Sequence, residues 1–110
     1  MPANTASQRI RDTLLSWDGV EAAPHRFGGL EFRIGHREIG HMHGDWLVDI
    51  PFPTRVRDEL VSASLAEPHH ILPDTGWISF HLRQESDVQA AIALFRRSYE
   101  IALKQHPTSQ

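Results

Sequence analysis

Residues 27–50 carry the sequence FGGLEFRIGHREIGHMHGDWLVDI, in which apolar and polar residues alternate between breaks that contain glycine. The alternation in Leu30–Ile34 is typical of a half-buried strand, and Gly35-His36 places glycine at the first central position of a two-residue type II′ turn. We interpret Gly44-Asp45 as a second two-residue turn. The stretch therefore predicts three consecutive antiparallel strands.

Two turns of this length also determine which residues face one another and which face of the sheet each side chain occupies. On this count His41 and His43 lie on the apolar side of the sheet, toward the core, and Asp49 lies on the opposite face. The predicted cross-strand pairs are Arg33 with Glu38, Phe32 with Ile39, Leu30 with His41, His41 with Val48, and Gly40 with Asp49.

Capping and periodicity signals predict the elements that flank this meander. They are a first helix capped at Thr5 and ending near Trp17, a short helix capped by Thr54, a short edge strand within residues 67–73, a strand over residues 77–82, and a last helix from Ser86 to Pro107. The order predicts an α+β two-layer sandwich. Its antiparallel sheet consists of the β-meander plus one or two further strands, and the N- and C-terminal helices cover one face.

Length and composition predict one domain in a reducing compartment. A chain of 110 residues with 40% apolar content fits a single core, so we expect one domain over residues 1–110, with residues 1–6 and 106–110 mobile. The absence of cysteine excludes disulfides and thiolate metal sites and favours a cytoplasmic location.

The net charge and the length of the apolar runs limit the classes of partner that the protein is expected to bind. A net charge of -3 gives no support to the electrostatic attraction on which nucleic-acid binding depends, so nucleic acid is disfavoured as a partner. No apolar run approaches the ~20 residues that span a bilayer, and the first residues lack a signal-peptide pattern. The partners that remain are a small molecule or another protein.

His41-Met42-His43 is the candidate site. On a strand these two imidazoles lie on one face about 6.5–7 Å apart, and the nearby aromatic and glycine residues favour a concave site at one end of the sheet. We therefore predict a small-ligand or protein binding module, with no cofactor assigned. The candidate ligand-binding residues are His41, His43, Trp46, Phe27, Gly28 and His69.

Two alternatives compete with this interpretation. A metal-assisted oxygenase or hydrolase would use the His-x-His pair and a third ligand from His69 or His70. The predicted register turns Asp49 and His81 away from the pair, so no metal site is assigned. The other alternative is that the two histidines lie at the rim of the core, where backbone groups or each other satisfy their hydrogen bonds.

Several motifs spread over nearly the whole chain resemble one family. They are Arg26-Phe27-Gly28-Gly29, Gly40-His41-Met42-His43, Asp49-Ile50-Pro51-Phe52-Pro53, Pro68-His69 and Gly76-Trp77-Ile78-Ser79-Phe80. The family they resemble is the small bacterial "luciferase domain" (luciferase family protein) family. Its label implies a link to light-emitting oxygenases and brings no agreed catalytic residues. Gly76-Trp77 and Ser98-Tyr99 also resemble MmcQ/YjbR-like domains, small α+β folds whose frequent DNA-binding label implies a nucleic-acid-binding module as a further alternative.

Overall fold

Six strands and three helices make up the parts of the chain that the computed structural model describes, residues 5–25, 28–72 and 74–105. The helices are α1 (Ala6–Leu15), α2 (Thr54–Ser62) and α3 (Ser86–Gln105). The strands are β1 (Val20–Pro24), β2 (Leu30–Ile34), β3 (Arg37–His43), β4 (Leu47–Pro51), β5 (Glu67–Pro68) and β6 (Trp77–His81). All neighbouring strands are antiparallel, in the order β1-β2-β3-β4-β6-β5.

The helices form a single layer on one face of the sheet, which confirms the predicted α+β sandwich. The core lies between the two layers, where Phe32 of β2 meets Phe95 of α3 edge to face with ring centroids 5.7 Å apart. Helix α2 lies beside α3, with Glu59 and Arg97 3.5 Å apart. In the described ranges, every helix is too short or too polar to span a bilayer.

The ends of the helices follow the local signals in part. The prediction that Thr54 caps the short helix is wrong, because Thr54 is the first residue of α2 and the N-cap is Pro53, which makes no side-chain hydrogen bond. Thr5 and Gln8 form the predicted capping box, because the Thr5 hydroxyl accepts from the Gln8 N–H and the Gln8 amide oxygen accepts from the Thr5 N–H. The predicted edge strand contains only the two residues of β5. The sheet also contains a strand that the sequence patterns did not predict, since β1 pairs along its length with β2.

The register of the β2–β3 hairpin departs from the predicted one after two pairs. Arg33 faces Glu38 as expected, but Phe32 then faces Gly40 in place of Ile39. Ile39 is an extra residue, and the strand forms a β-bulge at this point. Gly40 adopts a φ of 145°, which a residue with a side chain rarely adopts.

The second predicted turn is also wrong by one residue. His43 faces Leu47, so the connection contains three residues, Gly44-Asp45-Trp46. Asp45 is held by a contact outside the hairpin, because its carboxylate accepts a hydrogen bond of 2.8 Å from the N–H of Ser7 in α1. His41 consequently faces Asp49.

The shifted register reverses the predicted face of the β3 residues that follow the bulge, whereas Asp49 lies away from the core as predicted. Gly40 and Met42 point toward the helices, whereas His41 and His43 share the helix-free face with Asp49. The prediction that the two histidines lie on the core side is therefore wrong. His41 is nevertheless buried, because residues 69–72 lie over this part of the helix-free face.

We expect Gly40→Ala to destabilise the fold by about 2–4 kcal/mol, since strain at positive φ adds to overpacking. A Cβ at Gly40 would lie 2.4 Å from Cε1 of Phe95 and 3.0 Å from the Asp49 carbonyl oxygen. Gly35→Ala is the matched control, because Gly35 also has a positive φ but a Cβ there meets nothing within 4 Å. Urea unfolding of both variants measures the difference, and equal losses would show that the close approach of Phe95 does not matter.

Candidate functional site

The centre of the candidate site is the carboxylate of Asp49, which is 0% exposed. Val48 and Ile50 on either side of it in β4 enter the core, so the alternation of the strand directs Asp49 to the helix-free face. Its Oδ1 accepts a hydrogen bond of 2.7 Å from the hydroxyl of Ser79, the residue opposite it on β6. The second oxygen, Oδ2, faces a group of histidines.

Four imidazoles converge on this one oxygen. Their Nε2 atoms lie 2.8 Å (His43), 3.2 Å (His70), 3.3 Å (His41) and 3.4 Å (His69) from Oδ2. Two of them come from β3, and two come from the segment of residues 69–72, which we call the covering segment. A carboxylate oxygen has about two lone-pair sites, so it cannot accept a full hydrogen bond from every one of these nitrogens.

Backbone N–H groups of the covering segment determine which ring nitrogen of His69 carries the proton. Its Nδ1 accepts hydrogen bonds from the backbone N–H groups of Ile71, at 3.1 Å, and Leu72, at 3.0 Å. Nδ1 is therefore unprotonated, and the ring proton is on Nε2, where it is donated to Asp49. Burial lowers the pKa of His69, which keeps this ring neutral.

His41 has carboxylates at both ring nitrogens. Its Nδ1 donates to Glu38 at 2.6 Å, and its Nε2 faces Asp49. Burial alone would lower the pKa of His41, but the hydrogen bonds with Asp49 and Glu38 outweigh it and raise the pKa to about 9. For Asp49, burial is likewise outweighed by hydrogen bonds from His41 and Ser79, which hold the pKa well below its usual range.

A cavity of about 570 Å³ opens beside this cluster, within the size range of small-molecule sites. One wall is apolar and consists of Ile71, Leu72 and Trp77. The lining also includes charged groups, Glu38 and the ion pair between Glu31 and Arg33. The cavity thus combines an apolar surface, a charged surface and the histidine cluster.

The structure brings some of the predicted site residues together and separates others. His41, His43 and His69 meet at Asp49. Trp46 is 57% exposed in the turn, with its ring centroid 6.2 Å from that of His43, and neither Trp46 nor Gly28 lines the cavity. Phe27 lies outside the described residues.

The sequence analysis excluded Asp49, gave His70 only as an alternative to His69 for a third metal ligand, and did not single out Glu38. The exclusion of Asp49 was wrong, because it depended on a register that is displaced by one residue. A usable signal was present: Asp49 interrupts the otherwise apolar run Leu47-Val48-Asp49-Ile50. His81 does lie on the helix-free face, but its Nδ1 is 3.1 Å from Glu67.

Comparison with known proteins identifies the family. The model of the Luciferase domain family matches residues 36–98, which is more than half of the chain. The chain belongs to the Luciferase domain family. The resemblance seen in the sequence is thereby confirmed, and the matched range includes Asp49 and the four histidines around it. Neither the search of curated proteins nor that of solved structures found a match.

We expect the metal-free protein to lose stability as the pH rises through about 9. The folded-state pKa of His41 is raised from 6.5 to about 9, so its contribution is fully present below pH 6.5 and is lost as the pH rises through the folded value. The free energy of unfolding in urea should fall by about 2–3 kcal/mol across this range. In His41→Gln this fall should be largely absent, and an unchanged pH dependence in that variant would contradict the assignment to His41.

Proposed function

We propose that this member of the Luciferase domain family binds a divalent transition-metal ion through His41, His43, His70 and Asp49. The observation that carries the proposal is the convergence of four Nε2 atoms within 3.4 Å of one buried carboxylate oxygen. Hydrogen bonding to that oxygen leaves some of these nitrogens without an acceptor. The ligand atoms of His41, His43 and Asp49 lie within 4.8 Å of one another, and so do those of Asp49, His69 and His70, so the two groups share Asp49. A cation held by the first group takes His70 from the second as its fourth ligand.

The surroundings of each proposed ligand support this assignment. When His41 donates from Nδ1 to Glu38, the lone pair of its Nε2 is available to an ion, and a carboxylate behind a histidine is the usual partner of a metal ligand. Oδ1 of Asp49 is held by Ser79, which orients Oδ2. His69 differs from the others, since its Nε2 carries the proton, so we assign it as a donor to Asp49 and not as a ligand.

The donor set indicates which ions are suitable. Three imidazoles and one carboxylate, with no sulfur, suit zinc, iron, nickel and copper better than magnesium or calcium. An ion that takes more than four ligands keeps a position for a further molecule, and the adjoining cavity supplies the space. We therefore favour a metal-assisted enzyme. The family name favours an oxygenase over a hydrolase, and the compartment we expect for it is the cytoplasm.

We expect chelator-treated protein to take up about one equivalent of Co²⁺ or Zn²⁺, and Asp49→Asn to weaken the binding by about 100-fold or more. His43→Ala, at a partly exposed position, should weaken it similarly without removing a core residue. Calorimetric titration measures both. His81→Ala is the control, because His81 lies on the same face but pairs with Glu67. Tight binding by Asp49→Asn would contradict the proposal.

Glu38→Gln should weaken metal binding by roughly 10- to 100-fold, because a partner that orients a metal-binding histidine typically contributes this much. The amide is a poorer acceptor than the carboxylate for the proton on Nδ1 of His41, so Nε2 becomes a weaker ligand. Glu59→Gln, on α2 and paired with Arg97, provides a control of the same chemistry remote from the site. An equal affinity for cobalt in both variants would show that Glu38 does not support the centre.

A further inference from the structure

The covering segment presents apolar side chains where the cavity opens. Ile71 is 70% exposed and Leu72 is 46% exposed, which makes them two of the large apolar side chains most accessible to solvent in the described residues. Their backbone N–H groups are held by His69, so the position of this apolar wall is fixed relative to the cluster. Trp77 extends it inward, with its ring centroid 5.4 Å from that of His41. Exposed apolar surface at the mouth of a cavity is typical of a site for a partly apolar ligand.

The charges around the proposed centre favour an anion. A divalent ion bound by three neutral imidazoles and one carboxylate keeps one positive charge. Of the other carboxylates of the cavity, Glu31 is paired with Arg33, and Glu38 keeps its charge but lies at Nδ1 of His41, at the opposite end of the ring from the proposed ion at Nε2. The charge nearest to a ligand oxygen at the free coordination position is therefore the positive charge of the ion.

We infer that the cavity binds a small organic monoanion, with one oxygen coordinated to the metal ion and an apolar body packed against Ile71, Leu72 and Trp77. Since it rests on the proposed metal centre, this inference concerns the class of molecule on which that centre acts. The apolar wall and the ion lie on the same cavity, so a single molecule reaches both. The cavity volume of about 570 Å³ is sufficient for a molecule with one or two rings.

A series of carboxylates tests the two halves of the inference separately. Acetate, benzoate and 2-naphthoate are titrated into protein loaded with Co²⁺, and the visible absorption of the cobalt reports coordination. We expect each carboxylate to shift the spectrum, and 2-naphthoate to bind roughly 10- to 100-fold more tightly than acetate because of its larger apolar area. Neutral 2-naphthamide should bind far more weakly, and the metal-free protein should bind none of the four.

Substitutions in the apolar wall supply the matched controls. Ile71→Ser and Leu72→Ser keep the backbone N–H groups that hold His69, so cobalt uptake and acetate binding should be unchanged while 2-naphthoate binds roughly 5- to 50-fold more weakly. Leu65→Ser, at a 56% exposed leucine that does not line this cavity, should change neither.

The outcomes separate this inference from the metal centre. Protein that takes up no cobalt overturns the metal centre and the inference together. Normal cobalt uptake with equal affinities for acetate and 2-naphthoate overturns the apolar half of the inference and leaves the metal centre standing. Equal affinities for 2-naphthoate and 2-naphthamide overturn the requirement for an anion.

Discussion

The extra residue at Ile39 in β3 determines which side chains reach the helix-free face. Side chains alternate along a strand, so a displacement of one residue moves every following side chain to the other face. The bulge is possible because Gly40 has no Cβ, which leaves room for Phe95 of α3. One backbone feature thus serves both layers: the core packs tightly on Gly40, and His41, the next residue, points to the opposite side.

Besides the register of β3, the structure must accommodate the buried negative charge of Asp49. An ionised carboxylate that is withdrawn from water must be compensated, and Ser79 and His69 together satisfy only part of its capacity. In the metal-free protein the compensation comes from the proton that His41 retains. A metal ion would replace that proton at Nε2, so metal binding would release it and would keep the buried charge compensated.

The sequence determines much of the fold through local signals and much less of the site. The capping box at Thr5 and the helical periodicity that predicted α3 depend on neighbouring residues alone, and both were predictable. The three-residue turn was not, because Asp45 is held by Ser7 of α1, which lies 38 residues earlier in the chain. The bulge did leave a signal, since a lone glycine inside a strand pattern such as Gly40 often marks one. His70 could be named only as an alternative to His69, because the path of a proline-bounded segment depends on the surface it covers.

The covering segment connects the two halves of the site. His70 reaches the carboxylate of Asp49 from the same short segment that supplies Ile71 and Leu72 to the cavity. The hydrogen bonds to His69 make these residues one unit, so an ion that holds His70 also fixes the apolar wall. A ligand that packs on that wall would in turn hold His70 at the ion. Because coupling between two bound species is reciprocal, metal and ligand should each strengthen the binding of the other. Within the described residues, no helix covers this face of the sheet. The covering segment therefore has room both to bring His70 to the ion and to form the apolar wall of the cavity.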